Sequence, residues 1–194
     1  MSSRSAGPLT DRVHIPMRET IKVRRLTAEQ AQACASALAD VLIDCVEGGA
    51  SVSFMLPIAR ETALAFWHGV ARDVARGERI LLAAEDAQQR LVGTAQLVTG
   101  QPENQPHRAD VAKVLVHRAA RGQGVGLRLM LAIDEAATQA GKSVLVLDTV
   151  TGGAAERLYA RAGWERVGAV PNYALMPDGA VCGTTFYHKQ LLSR

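Results

Sequence analysis

The chain has 194 residues, of which 48% are hydrophobic, and this composition fits one domain with a sizeable core and excludes a mainly disordered protein. The net charge of +3 comes from interspersed charges of both signs, and aromatic residues make up only 4%, so we expect no nucleic-acid partner and favour a small anionic ligand. Because no signal peptide and no apolar run of the ~18 residues needed for a membrane span is present, we expect no membrane partner and a cytoplasmic protein.

Three cysteines occur in the chain, and none forms a C-x-x-C pair. This spacing argues against a zinc site and against a disulfide scaffold, and it favours a reducing compartment. We interpret Cys34, Cys45 and Cys182 as buried thiols and expect no metal.

The N-terminal third predicts one strand and two helices. Residues 21–26 (IKVRRL) alternate as in a short strand. A capping box at Thr27 and Gln30 then opens a helix that ends at Gly48 and Gly49. A second helix is predicted from Arg60 to Arg76, where apolar residues recur at helical spacing.

The rest of the chain alternates strands and helices. Strands are predicted near residues 78–86, 91–100, 109–117, 143–150, 164–171 and 182–191, with helices near 126–140 and 154–163. The first pair of these strands forms a hairpin, whereas the unit at 111–150 requires a parallel crossover. The sequence therefore predicts an α/β (α+β) fold with a mixed sheet.

The most informative motif is RGQGVG at residues 121–126, where a strand gives way to a helix. Glycines let a ligand approach the backbone amides closely, and the start of a helix adds positive potential. We therefore expect the loop to hold a phosphate group. A tight turn without a ligand is the alternative.

Two familiar phosphate loops fit poorly. The P-loop requires a lysine and a hydroxyl residue after its last glycine, and neither follows here. The dinucleotide fingerprint has the spacing G-x-G-x-x-G near the start of a doubly wound unit, whereas this run is G-x-G-x-G at mid-chain.

The motif R/Q-x-x-G-x-G/A does match residues 121–126, and it resembles the pyrophosphate loop of the GNAT acyltransferase superfamily. Together with the element order, the resemblance covers about Ile21 to Lys189. It implies a mixed, mostly antiparallel sheet with splayed central parallel strands flanked by helices. We expect a flexible segment at residues 1–18 and a single domain of this family at residues 19–194.

The same resemblance implies acetyl-CoA as the donor substrate. The strand before the loop would expose its backbone to the pantetheine arm, and the amides of the loop would hold the pyrophosphate. The residues implied in cofactor binding are Leu115, Val116, Arg121, Gly122, Gln123, Gly124, Val125, Gly126 and Leu127.

Acetyl transfer to an amine requires a proton acceptor for the amine and a proton donor for the departing thiolate. Tyr159 resembles the tyrosine that many GNAT enzymes direct at the CoA sulfur as a general acid. Asp148 ends a buried strand and Asp110 begins its neighbour, so either carboxylate could serve as the base. The alternatives are a core aromatic for Tyr159, a turn cap for Asp148 and a solvated strand end for Asp110.

A narrower resemblance concerns the tabtoxin-resistance acetyltransferases of this superfamily, which acetylate the amine of a β-lactam amino-acid toxin. It rests on residues 48–55 (GGASVSFM), 107–116 (HRADVAKVLV), 147–168 and 171–179 (PNYALMPDG), and on TTFYHK near the end of the chain. It implies catalytic roles for Asp110, Asp148 and Tyr159. At Asp110 the group carries a glutamate, so a bridging water is favoured there.

The resemblance also indicates where an acceptor binds. Residues 48–55 lie where this fold builds its acceptor site, although two glycines after a helix are equally expected as a cap. Residues 171–179 would form the opposite wall, with Tyr173 facing the acceptor, or alternatively a simple hairpin.

We therefore expect an acetyl-CoA-dependent N-acetyltransferase acting on a small-molecule amine by direct attack in a ternary complex. The alternatives are acetylation of a protein or peptide, and a non-catalytic acyl-CoA-binding module. The resemblance is also compatible with a homodimer formed through the C-terminal strands.

Overall fold

A computed structural model describes residues 21–191, so the predicted flexible segment at residues 1–18 lies outside the described residues. The described strands are β1 (Lys22–Leu26), β2 (Arg79–Glu85), β3 (Leu91–Val98), β4 (Arg108–Val116), β5 (Val144–Val150), β6 (Glu165–Leu175) and β7 (Val181–Gln190). The described helices are α1 (Ala28–Ala33), α2 (Ala35–Glu47), α3 (Arg60–Ala75), α4 (Val125–Gln139) and α5 (Ala154–Arg161). Within residues 21–191, no helix combines the length and the apolar character needed to cross a membrane.

The seven strands form one sheet in the order β1-β2-β3-β4-β5-β7-β6. Only β4 and β5 are parallel, and every other neighbouring pair is antiparallel. The predicted mixed sheet is therefore confirmed. Its parallel pair is joined through α4, as expected of a crossover connection.

Hydrophobic cores cover both faces of the sheet. On one face, α1, α2 and α3 pack around the fully buried Trp67. On the other face, α4 lies across β2, β3 and β4, and Tyr159 of α5 packs near Tyr187 of β7. The central strands β2 and β3 are thus buried on both sides, which explains why they contain so few polar residues.

The first predicted helix is correct at its start and wrong in its continuity. Thr27 Oγ1 accepts a hydrogen bond from the Gln30 amide at 3.2 Å, and Gln30 Oε1 accepts one from the Thr27 amide at 3.0 Å. The helix then breaks at Cys34, where ψ is 2°. Ala31 and Ala35 are buried on either side of the break, so the hydrophobic periodicity gives no sign of it.

Two further predictions are corrected by the structure. Cys45 is buried, but Cys34 and Cys182 are only half-buried, because Cys34 lies at the helix break and Cys182 lies near the end of the sheet. The sixth strand does not end near Pro171 but continues to Leu175, with a register shift between Val170 and Ala174. Such a bulge accommodates a proline, which cannot donate to the strand ladder.

A partly buried ion pair links three elements behind the sheet. Lys189 Nζ of β7 lies 2.6 Å from Asp134 Oδ2 of α4, and it also donates to the Ala162 carbonyl at 2.6 Å, just after α5. Burial raises the pKa of the Asp134 carboxyl, and Lys189 opposes that rise. Lys189 therefore compensates a carboxylate that water reaches poorly.

We predict that Lys189→Met lowers the free energy of unfolding by about 2 kcal/mol, because it leaves Asp134 partly buried without its cation. The double variant Asp134→Leu/Lys189→Met should recover most of that loss, since it removes both charges. Urea unfolding of the three proteins measures both effects. A single variant within about 0.5 kcal/mol of the parent would contradict this account.

Candidate active site

The two parallel strands separate in the middle of the sheet. β4 pairs with β5 only from Arg108 to Asp110, opposite Val144 to Val146. Beyond that point β5 continues to pair with β7 on its other edge as far as Val150. A gap therefore opens between β4 and β5, as expected for splayed central strands.

A β-bulge at Lys113 bends β4 at the gap. Lys113 has a φ of 50°, and the pairing of β3 with β4 shifts register between Thr94 and Gln96. A lysine with positive φ is uncommon, and a bulge of this kind redirects the side chains around it. The segment AKVLV contains no residue typical of a bulge, so the sequence predicts a regular strand there.

The gap leads into a cavity of about 370 Å³. Four segments line it: residues 51–55 between α2 and α3, residues 111–114 of β4, residues 148–150 of β5, and residues 173–175 of β6. Residues 51–55 and 173–175 belong to the two segments that the sequence analysis placed around an acceptor. Ser51 Oγ donates to the Leu175 carbonyl at 2.7 Å, so these two walls touch each other beside the cavity.

Tyr159 lines this cavity from α5 while most of its ring belongs to the core. The side chain is 6% exposed and packs against Trp164 and Tyr187, with ring centroids 6.3 and 5.7 Å away. Burial and then the charge of Asp148 raise the pKa of the Tyr159 hydroxyl to about 12. The phenol is therefore protonated at neutral pH.

Asp148 lies on β5 at the same cavity. Its side chain is accessible from the cavity, yet the surrounding walls remove enough water to raise the pKa of its carboxyl. Lys113 opposes this rise, and Asp110 adds to it. β5, which the sequence predicts as a buried strand, is thus fully buried on one face only. On its other face, the end of β5 borders the cavity instead of a packed layer of side chains.

Asp110 is placed differently from the other two predicted catalytic residues. It does not line the cavity, and its carboxylate oxygens accept hydrogen bonds from Arg108 Nη1 and from Gln101 Nε2, the latter at 3.0 Å. Asp110 nevertheless acts on Asp148 through its charge. The structure thus brings Tyr159 and Asp148 together and keeps Asp110 beside them.

The glycine loop forms the start of α4. Gly122 and Gly124 have φ values of 77° and 82°, and space is open where a Cβ would project from either residue. Gly126 differs, because its Cβ would lie 3.0 Å from the Leu158 side chain. The amides of Val125, Gly126 and Leu127 lie in the first turn of the helix, where they have no partner within it. The loop therefore presents backbone donors beside open space.

The end of β4 connects this loop to the gap. His117 donates its amide to the Val92 carbonyl of β3 at 2.9 Å, and by strand alternation the Val116 amide points away from β3 toward the gap. Arg121 Nε donates to the Val116 carbonyl at 3.2 Å while its side chain remains exposed. The Leu115 side chain is buried among α2 and α3, and by the same alternation its backbone amide faces Thr94 of β3, so neither is directed toward the gap.

Lys113 also belongs to this site, although no functional role was predicted for it from the sequence. Its side chain enters the cavity, where Nζ lies 3.3 Å from Ser53 Oγ and 5.7 Å from the centre of the Phe66 ring. Lys113 could have been recognised in the sequence as a charged residue within the otherwise apolar stretch VAKVLV. Among residues 21–191, no group of three or more His, Cys, Asp or Glu side chains is arranged to hold a metal ion.

Comparison with known proteins assigns this architecture to a family. Residues 51–164 match the model of the acetyltransferase (GNAT) family, and the chain belongs to that family. It is 34% identical over 113 residues to an uncharacterized N-acetyltransferase in the hisH-hisA intergenic region of Azospirillum brasilense. That match covers 57% of this chain and 65% of the relative, so the chain matches just under two thirds of the relative's length.

Solved structures share the fold across nearly the whole chain. The structure of yncA from Salmonella typhimurium with its cofactor acetyl-CoA has a TM-score of 0.72 at 20% identity, covering 90% of this chain and 95% of that one. The ribosomal-protein-alanine N-acetyltransferase from Brucella melitensis has a TM-score of 0.71 at 27% identity, covering 88% and 99%. The predicted GNAT fold is therefore confirmed.

The charges around Asp148 make its ionisation a sensitive test of the site. We predict that Lys113→Met raises the pKa of Asp148 further, because it removes a cation that stabilises the carboxylate. Asp110→Asn should lower that pKa, because it removes a neighbouring negative charge. Titration of the carboxyl carbon by NMR checks both variants. Shifts of the same sign in the two variants would contradict the arrangement.

Proposed function

We propose that the protein is an N-acetyltransferase that moves an acetyl group from acetyl-CoA to the primary amine of a small amino-acid-like acceptor, by direct attack within a ternary complex. One observation carries the proposal. The same strand that lines the Tyr159 and Asp148 cavity at residues 111–114 leads, through one 3-10 turn at Arg118–Ala120, into the glycine loop at residues 121–126. A donor held at the loop and along β4 would therefore reach the cavity.

The residues at the gap fit acetyl-CoA. Open space at Gly122 and Gly124 and the first amides of α4 suit a pyrophosphate, and the exposed Arg121 adds positive charge. The backbone at Val116, which faces away from β3 and has no β5 partner, suits an amide of a pantetheine arm. When bound, acetyl-CoA supplies a thioester whose carbonyl is open to attack by an amine.

Asp148 is the residue we assign to proton removal from the acceptor. An α-ammonium with a pKa of about 8 needs only a modest base, and the raised pKa of Asp148 brings its carboxylate closer to that value. It would take the proton directly or through a water. Asp110, with both oxygens already hydrogen-bonded, contributes its charge and keeps Asp148 more basic.

Tyr159 is the residue we assign to protonation of the departing CoA thiolate. It holds its proton at neutral pH, because burial raises its pKa to about 12. It also lies on the side of the cavity formed by α5, next to Asp148. Protonation of a leaving thiolate by a positioned acid prevents the reverse attack and contributes to turnover.

The cavity favours a small acceptor. Its volume is about 370 Å³, within the range of small-molecule sites, and the Ser51 to Leu175 hydrogen bond joins two of its walls. A long peptide lying across the cavity would have to separate those walls. The resemblance to tabtoxin-resistance acetyltransferases makes a β-lactam amino acid such as tabtoxinine-β-lactam the first compound to test.

A second candidate is acetylation of a protein or peptide N-terminus. It is favoured by the 27% identity to a structure named as a ribosomal-protein-alanine N-acetyltransferase. An assay for free thiol release from acetyl-CoA separates the two, with amino acids, β-lactam amino acids and alanine-terminated peptides offered as acceptors. Signal on small amines supports the first proposal, and signal on peptides alone supports the second.

We predict that Tyr159→Phe lowers kcat by about 100-fold or more, because it removes the proton donor, while affinity for CoA stays within about twofold of the parent. Tyr187→Phe is the matched control, since Tyr187 packs against Tyr159 but does not line the cavity. Steady-state kinetics and calorimetry give the two quantities. Equal kcat in the two variants would contradict the role of Tyr159, whereas CoA binding without thiol release by the parent protein would support a non-catalytic acyl-CoA-binding module.

We also predict that Gly124→Ala weakens CoA binding at least tenfold, because a side chain strains the left-handed backbone and enters the space beside the loop amides. Gly141→Ala is the control, since Gly141 has a φ of 69° with equally open space at the other end of α4. Both variants should lose about 1 kcal/mol of stability. Equal CoA affinity in the two variants would contradict a pyrophosphate site at the loop.

A further inference from the structure

Lys113 is a half-buried cation in the cavity that forms no ion pair with any residue of the described range 21–191. Its Nζ has Ser53 Oγ at 3.3 Å and the Phe66 ring centre at 5.7 Å, and none of the ion pairs within 4 Å among residues 21–191 includes it. A hydroxyl and an aromatic face stabilise an ammonium only partly. A buried charge is normally paired, so this one has room for an anion from outside the chain.

The surroundings of Lys113 make that end of the cavity positive. Arg79 on β2 is close enough to lower the pKa of Lys113, after the larger effect of burial. Arg79 is itself held by Asp73, with Nη2 3.1 Å from Oδ2, and by Gln96. Its charge is thus partly compensated, whereas that of Lys113 is compensated only at a distance by Asp148.

The β5 side of the cavity is negative. Asp148 lines the same cavity, and it too is absent from the ion pairs among the described residues. Asp110 adds further negative potential there. Two opposite charges, one on β4 and one on β5, therefore line one cavity and interact without forming an ion pair within 4 Å.

We propose that Lys113 and Ser53 form a carboxylate-binding subsite and that the acceptor is a free amino acid, with its amine toward Asp148 and its carboxylate on Lys113. Lys113 Nζ would pair with the carboxylate, and the Ser53 hydroxyl, already beside Nζ, would donate a second hydrogen bond. A zwitterionic amino acid bound in this way would compensate the charges of Asp148 and Lys113 at the same time. This inference rests on the proposed acetyl transfer and specifies its substrate class.

The bulge at Lys113 determines the direction of its side chain. In a regular strand the side chains of residues 112 and 114 would share one face and that of residue 113 the other. Instead, residues 111–114 all contribute to the cavity wall. The positive φ of Lys113 thus directs a charged side chain into a space that a regular ladder would not give it. Strain of this kind is often found at functional sites.

The test compares acceptors that differ only in the carboxylate. Each proteinogenic L-amino acid is assayed for thiol release beside its C-terminal carboxamide, which keeps the amine and the side chain but removes the charge. The measured quantity is the ratio of kcat/KM for the acid to kcat/KM for the amide. Because this ratio is compared between variants, differences in intrinsic amine reactivity cancel.

We expect Lys113→Met to lower that ratio by about 10- to 100-fold, the size of a hydrogen-bonded charge contact. The loss should fall mainly on KM for the acid, and the amide should change by no more than about threefold. Lys113→Arg should retain much of the preference, and Ser53→Ala should lose a smaller part. Unfolding midpoints and CoA affinity show that each variant is folded, and Ser53→Ala carries the test if Lys113→Met does not fold.

Three results would overturn the inference. An acid-to-amide ratio that is unchanged in Lys113→Met would show that the carboxylate binds elsewhere. An equal loss of kcat on acids and amides would make Lys113 part of the proton transfer instead. If the parent enzyme releases no thiol from acetyl-CoA with any small amine, the proposed function itself fails. That outcome differs from equal acetylation of acids and amides, in which the acetyl transfer stands and only the carboxylate subsite fails.

Discussion

The separation of β4 from β5 is the constraint on which the site depends. β5 is held along its length by β7, and β4 is held by β3 on both sides of the bulge, so each strand is secured on its outer edge. After Asp110 their facing edges lose contact. Backbone N–H and C=O groups left without a strand partner require another partner, from water or from a ligand. The gap is therefore a break in the sheet that exposes polar backbone next to an apolar core.

Every other feature of the site is arranged along this break. At its far end, α4 begins and presents amides at Gly122 to Leu127. In the middle, the bulge turns Lys113 into the cavity. On the β5 side, Asp148 and the nearby Tyr159 have their pKa values raised by burial in the same walls. The gap thus determines which backbone groups lack a strand partner and the electrostatics of the carboxylate and the phenol beside it.

Much of this organisation could be predicted from the sequence, because local patterns encode it. Alternation and helical spacing identified the strands and helices, and the glycines of residues 121–126 indicated the loop. Three features escaped prediction for physical reasons. The break at Cys34 interrupts a helix between two buried residues, Ala31 and Ala35, so the burial pattern does not reveal it. The bulge at Lys113 arises from pairing across strands, which local sequence does not encode. The hydrogen bonds of Asp110 depend on Arg108 and Gln101, whose approach is set by the loop before β4.

The most direct measurement is an NMR titration of the 15N-labelled protein with CoA, following the backbone amides. If CoA lies in the gap, the largest shifts should occur at Val116 and at residues 122–127, and they should saturate with one equivalent. Amides of the same chain at β1 and β2 should move little. Absence of shifts at the loop, or saturation at a site away from the gap, would contradict the account.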